Sequence, residues 1–180
     1  MNKLKLLILD VDGILTDGKK YYDKSGMPQL KIFCDKDWTT IKRFKAIGVE
    51  VIFLTGDPFN EEIGVKRNIP VIVNRKDGYH KDKSDYLVEL CKEYSCSLDE
   101  VVYYGDDLFD IGIMEKLQYG FCTKDSPKMV KDYARVIGVN GGENAVLHLY
   151  EKCEDMGLIE RFTYDEIMGK IYELDTKEVF

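Results

Sequence analysis

The stretch Leu6-Leu7-Ile8-Leu9-Asp10-Val11-Asp12-Gly13-Ile14-Leu15-Thr16-Asp17-Gly18 decides the fold. Four apolar residues run directly into an acidic, glycine-containing turn. An unbroken apolar run of this length reads as a strand covered on both faces, as in a parallel sheet. The predicted strand spans residues 5–11. Its acids then lie at the carboxyl end, where open α/β sheets place ligands. In an extended strand Asp10 and Asp12 share one face. Two carboxylates on one face repel unless a cation lies between them. An Asx turn alone would also explain an Asp-rich, Gly-containing stretch, so the rest of the chain must discriminate.

Two further apolar runs end the same way. Val49-Glu50-Val51-Ile52-Phe53-Leu54 leads into Thr55-Gly56-Asp57, and Val101-Val102-Tyr103-Tyr104 leads into Gly105-Asp106-Asp107. Three polar turns on three buried strands of a parallel sheet converge at one edge. Around them, strands and helices alternate with short connections. Helices are predicted from Trp38 to Gly48 with Asp37 as N-cap, from Pro58 to Arg67, from Asp82 through Tyr94, and from Glu143 to Met156. Short strands are predicted at 70–73, 119–122 and 135–137, and residues 74–80 read as polar loop. Residues 19–33 carry β-forming ends about a turn-rich centre, Asp23 to Pro28, and predict a hairpin flap beside the first acidic turn. The fold class is α/β, a doubly wound parallel sheet with helices on both faces, a small hairpin flap and no large cap. One domain spans 1–157. Residues 158–180 form a C-terminal tail, helical near 164–172 and partly free.

Composition narrows the function. The 180 residues are 44% hydrophobic and 33% charged, enough for one domain with a core. A formal charge of −7 without a basic stripe argues against nucleic acid and anionic membranes. Five cysteines, an odd number without a C-x-x-C pair, argue against a disulfide framework and a structural zinc site and favour a reducing compartment. Two histidines exclude a His-rich metal site. The apolar run after Met1-Asn2-Lys3 is too short for a signal segment, and the expected location is the cytoplasm.

Aspartates from two strands can hold Mg2+ through oxygen. A further aspartate can attack phosphorus, and a neighbouring acid can move the proton. This arrangement resembles the haloacid dehalogenase-like phosphohydrolases over about Leu4 to Tyr150. Asp10-Val11-Asp12-Gly13 with Thr16-Asp17-Gly18, Leu54-Thr55-Gly56, Lys83, and Gly105 to Asp110 look like the family's four motifs. The resemblance implies Asp10 as nucleophile, Asp12 as general acid/base, Thr55 and Gly56 as phosphate binders, and Lys83 as the lysine that orients nucleophile and phosphate. It also implies Mg2+ on Asp10, Asp106 and the Asp12 backbone carbonyl, with Asp107 and Asp110 as further acids. Spacing to Gly105 favours Lys83 over Lys81. An acid two residues after the nucleophile marks phosphatases and not dehalogenases.

The missing cap, the Thr16-Asp17-Gly18 extension and the late Gly141-Gly142 resemble phosphatases of 3-deoxy-2-ulosonic acid phosphates. These act on the 8-phosphate of octulosonate or the 9-phosphate of nonulosonates. The resemblance implies a phosphorylated sugar acid as substrate and a homotetramer with the hairpin at the interface. Asp57 stands where the octulosonate enzymes usually have Arg, which tilts the expectation toward a nine-carbon acid. Lys66 and Arg67 are candidate specificity residues. Two other readings compete: a catalytically silent oligomerisation module, and a phospho-accepting receiver domain.

Overall fold

The computed structural model describes residues 3–178. Leu6–Leu9 form β1, with every side chain buried. β2 (Tyr21–Tyr22) and β3 (Pro28–Leu30) make the flap hairpin. α1 (Asp35–Ala46) leads to β4 (Glu50–Thr55), α2 (Asn60–Lys66) and β5 (Val71–Val73). β6 (Arg75–Lys76) and β7 (Tyr79–His80) form a second, antiparallel pair. α3 (Leu87–Glu93), β8 (Val101–Tyr104), α4 (Ile111–Lys116), β9 (Tyr119–Cys122), α5 (Lys128–Lys131), β10 (Arg135–Val136), α6 (Ala145–Asp155) and α7 (Tyr164–Asp175) complete the chain.

The main sheet is parallel throughout, in the order β10-β9-β8-β1-β4-β5. Alternation along β1 explains why it must be apolar on both faces. Leu7 and Leu9 join Phe44 of α1 and Leu149 and Tyr150 of α6 in one core. Leu6 and Ile8 join Leu87 and Leu90 of α3 and Ile113 and Met114 of α4 in the other. The strand order reverses between β1 and β8, so the turns after these two strands flank the switch point where such sheets open a crevice.

Four expectations need correction. The ladder ends at Leu9 and not at Val11, because the Val11 carbonyl accepts from the N–H groups of Ile14, Leu15 and Thr16 and closes a turn. Asp10 and Asp12 therefore do not share a strand face. Asp37 does not cap its own helix, whose N-cap is Cys34. Its buried carboxylate instead accepts from Val146 N–H at 2.9 Å and Leu147 N–H at 3.1 Å, satisfying the start of α6. Burial pushes that carboxyl up to about 6 despite those two bonds. Residues 74–80 are not plain loop but the β6–β7 hairpin, whose turn residues Asp77 and Gly78 both have positive φ (51° and 84°). The tail is not free within the described residues: α7 packs on α1, with Lys42 paired to Asp175 and Lys45 to Glu178. Among the described residues, no helix is long and apolar enough to cross a membrane.

Candidate active site

A cavity of about 750 Å³ opens at the carboxyl edge of the sheet. Asp10 sits in its floor, 8% exposed, at the end of β1. Its Oδ1 accepts from Val11 N–H at 2.7 Å, and its Oδ2 accepts from Lys83 Nζ at 2.9 Å. Burial raises the Asp10 carboxyl to about 6, against the pull of Lys83. Lys83 follows Asp82, whose side chain accepts from Ser84 N–H and opens a 3-10 turn leading to α3. The Lys83 ammonium is 2% exposed and also donates to Asp110 Oδ1 at 2.6 Å and Tyr103 Oη at 3.0 Å. Burial alone would lower its pKa, but the Asp10 and Asp110 charges outweigh that and hold it raised.

Asp110 is fully saturated. Its Oδ1 also accepts from the Tyr103 hydroxyl, and its Oδ2 accepts from the N–H groups of Asp106 and Asp107. It shapes the turn after β8 and aims Asp106. Asp107 caps the following turn by accepting from Leu108 N–H. Asp106 lacks such support. Its Oδ1 is buried with no hydrogen-bond partner among the described residues. Burial, then the charges of Asp10, Asp110 and Asp107, push its carboxyl up to about 8. A carboxylate this crowded calls for a cation. Oxygens of Asp10, Asp106 and Asp110 lie within 4.8 Å of one another. With Asp110 saturated, Asp10 and Asp106 are the two side chains free to hold a divalent ion. Gly13 permits the approach: a Cβ on it would lie 2.0 Å from Asp106 Oδ2, and its φ is +84°. The late glycines do similar work, since a Cβ on Gly141 would lie 2.0 Å from the Gly13 carbonyl oxygen.

On the other wall, Thr55 Oγ1 accepts from Asn60 Nδ2 at 2.8 Å and from Asp57 N–H at 3.2 Å. Both bonds use oxygen lone pairs, so the hydroxyl proton remains for a ligand. Asp12 is gripped by Lys31, at 2.8 Å from its Oδ1 and 2.9 Å from its Oδ2, and by Asn60 Nδ2 at 3.1 Å. The Lys31 side chain is wholly buried and also reaches Asp57 Oδ2 at 2.9 Å and Asn60 Oδ1 at 2.7 Å. Lys20 adds a 2.6 Å pair to Asp57. Burial would raise the Asp57 carboxyl, but these two lysines outweigh it and hold it at about 2.

The structure thus brings Asp10, Asp12, Thr55, Gly56, Asp57, Lys83, Asp106 and Asp107 to one cavity. It does not bring Lys66 or Arg67 there. Lys66 borders a separate groove with Phe59 and Glu62, and the Arg67 guanidinium lies 4.7 Å over the Trp38 ring. Lys81 faces the Tyr86 ring instead of Asp10. Sequence reasoning missed Asn60 and Lys31, which lack any local motif.

A doubly wound sheet with two acids at its switch point and a buried lysine between acids is the arrangement that the resemblance to haloacid dehalogenase-like hydrolases implies. The sequence profile of haloacid dehalogenase-like hydrolases matches residues 78–149. The 3-deoxy-D-manno-octulosonate 8-phosphate phosphatase KdsC of Salmonella typhi is 31% identical over 169 residues, covering 93% of this chain and 86% of that protein. The corresponding phosphatase of Moraxella catarrhalis, solved with magnesium, phosphate and KDO, superposes with a TM-score of 0.72. It is 25% identical, and the match covers 98% of this chain and 92% of that one. A cobalt-bound form of the Haemophilus influenzae phosphatase gives a TM-score of 0.76 at 26% identity, over 85% of this chain and 88% of that one. The chain belongs to this family of haloacid dehalogenase-like phosphatases.

Proposed function

We propose that the chain is a Mg2+-dependent phosphomonoesterase acting on a 3-deoxy-2-ulosonic acid phosphate of the octulosonate or nonulosonate type. One observation carries the reading: buried Asp10 and half-buried Asp106 bring carboxylate oxygens within 4.8 Å of each other, and, among the described residues, Asp106 Oδ1 has no partner and Lys83 is the only cation bonded to Asp10. Such a pair accommodates a divalent cation and a phosphoryl group. The substrate of the related phosphatases, octulosonate 8-phosphate, supports the sugar acid.

Asp10 attacks phosphorus, the phosphorus–oxygen bond to the sugar breaks, and a phosphoaspartyl group forms. Asp12 gives its proton to the departing sugar oxygen. It then takes a proton from the water that attacks the phosphoaspartyl phosphorus, so phosphate leaves and Asp10 is regenerated. Lys83 holds Asp10 in line and offsets phosphoryl charge. The Thr55 hydroxyl and the backbone at Gly56 hold phosphoryl oxygens. Mg2+, held by Asp10, Asp106 and the Asp12 carbonyl, would neutralise charge on the transferring group.

Asp10→Asn tests the reading. Phosphate release from octulosonate 8-phosphate or a nonulosonate 9-phosphate should fall by about 1,000-fold or more, and chelation should stop the parent enzyme. Undiminished turnover in the variant would overturn the nucleophile.

The first hairpin supports a homo-oligomer. Tyr21, Tyr22, Met27, Leu30 and Ile32 are all 59–65% exposed, a density of open apolar side chains on one short hairpin that is unusual for a free surface. Light scattering should give a tetramer's mass, and a monomer at working concentration would refute this. Five free cysteines are in keeping with a cytoplasmic enzyme.

A further inference from the structure

The cavity's lysines are spent. Lys83 is bonded to Asp10 and Asp110, while Lys20 and Lys31 are bonded to Asp57 and Lys31 also to Asp12. Arg75, on β6, also lines the cavity, and it has no carboxylate partner among the described residues. Two more polar groups at the same corner are unsatisfied. Asn74, 2% exposed, donates its Nδ2 to the Lys81 carbonyl at 2.7 Å, which fixes the amide and leaves a buried Oδ1 with no partner. His80 Nδ1, on β7, is likewise buried and unpartnered. The corner is built, not floppy. The His80 ring stacks on Phe109 at 4.1 Å between centroids. It also closes on Gly56, where a Cβ would lie 2.8 Å from His80 Cε1.

The structure assigns Arg75 to a subsite for the carboxylate end of the substrate, the guanidinium pairing with the carboxylate, and the orphaned Asn74 and His80 atoms, which lie beside Gly56, to hydroxyl groups nearer the phosphate. This rests on the sugar-acid reading above and names the residues that enforce it. The planar guanidinium matches a carboxylate with two parallel hydrogen bonds. The Asn74 oxygen can only accept, so it selects a hydroxyl. Burial and the nearby Arg75 and Lys83 charges lower the His80 pKa, which keeps an imidazole lone pair available. A neutral sugar phosphate leaves the guanidinium unanswered.

The test compares Arg75→Gln with the parent enzyme on octulosonate 8-phosphate and on arabinose 5-phosphate, a neutral sugar phosphate. The ratio of the two kcat/KM values should fall about 10- to 100-fold, the worth of a charge-assisted pair. The loss should reside mainly in KM, and Arg75→Lys should recover part of it. Free octulosonate, titrated calorimetrically, should bind the variant correspondingly more weakly than the parent. An unchanged ratio, or equal loss on both substrates, overturns the subsite. If the parent hydrolyses neither phosphate, the proposed activity fails. The calorimetric arm then still decides the subsite, because equal or absent binding of octulosonate to both proteins refutes it.

Discussion

Two hairpins border the cavity, and they treat charge in opposite ways. The β2–β3 hairpin and its flanks bring in Lys20 and Lys31, and both ammonium groups are consumed by acids of the sheet edge. The β6–β7 hairpin brings in Arg75 and His80 and leaves their polar groups unanswered. The first is therefore part of the scaffold. It reaches under the cavity wall, and its lysine fixes the side chain proposed to move the proton. The second is held by ring stacking and a tight turn instead, so its cation stays available. Buried ion pairs are costly to break, whereas an exposed guanidinium without a partner contributes little to folding. Stability should respond to the first hairpin, and substrate choice to the second.

Lys31→Met breaks this comparison most severely. It strands the charges of Asp12 and Asp57 in a half-buried wall, and Lys20 remains to answer them only in part. Loss of one partner from a buried pair costs about 3 kcal/mol or more. Urea unfolding should show a loss of that order, while Arg75→Gln stays within about 0.5 kcal/mol of the parent. Adding Asp57→Asn to Lys31→Met should recover part of the loss, because the stranded charge is removed. Phosphate release by Lys31→Met should fall chiefly in kcat, since Asp12 loses its anchor. Equal stability of the Lys31 and Arg75 variants would erase the distinction between the hairpins.

What the sequence made legible follows the same division. β1, β4 and β8 could be read because burial on both faces demands unbroken apolar runs, and the polar turns after them stand out by contrast. Lys83 could be placed by its distance from Gly105. Lys31 and Asn60 could not, since each reaches Asp12 across 19 or more residues, a partner that no local pattern names. Asp37 looked like a local cap because helix starts and Asp residues go together, yet it serves a helix more than 100 residues away. The β6–β7 hairpin did carry a signal, Asp77-Gly78, but its two-residue strands are polar and lack the alternation that usually accompanies such a turn.

A smaller effect than the loss of Lys31 is set by pH. Asp57 is held at about 2, below the 3.8 of an unperturbed Asp, by Lys20 and Lys31. A carboxyl held below its unfolded value contributes stability that is complete above about pH 4 and is lost as pH falls through about 2. The difference is worth about 2 kcal/mol. Asp37 works with the opposite sign: raised to about 6, it contributes stability that is present below about pH 4 and lost as pH rises through 6. The two windows do not overlap, so they can be read separately. Asp57→Asn should flatten the stability profile between pH 4 and 2 and leave the region between 4 and 6 unchanged. Asp37→Asn should do the reverse, its side-chain oxygen still able to accept from the start of α6. A profile below pH 4 that is the same in Asp57→Asn and the parent would mean that the lysines of the first hairpin do not clamp the cavity wall, and the two hairpins would then differ only in shape.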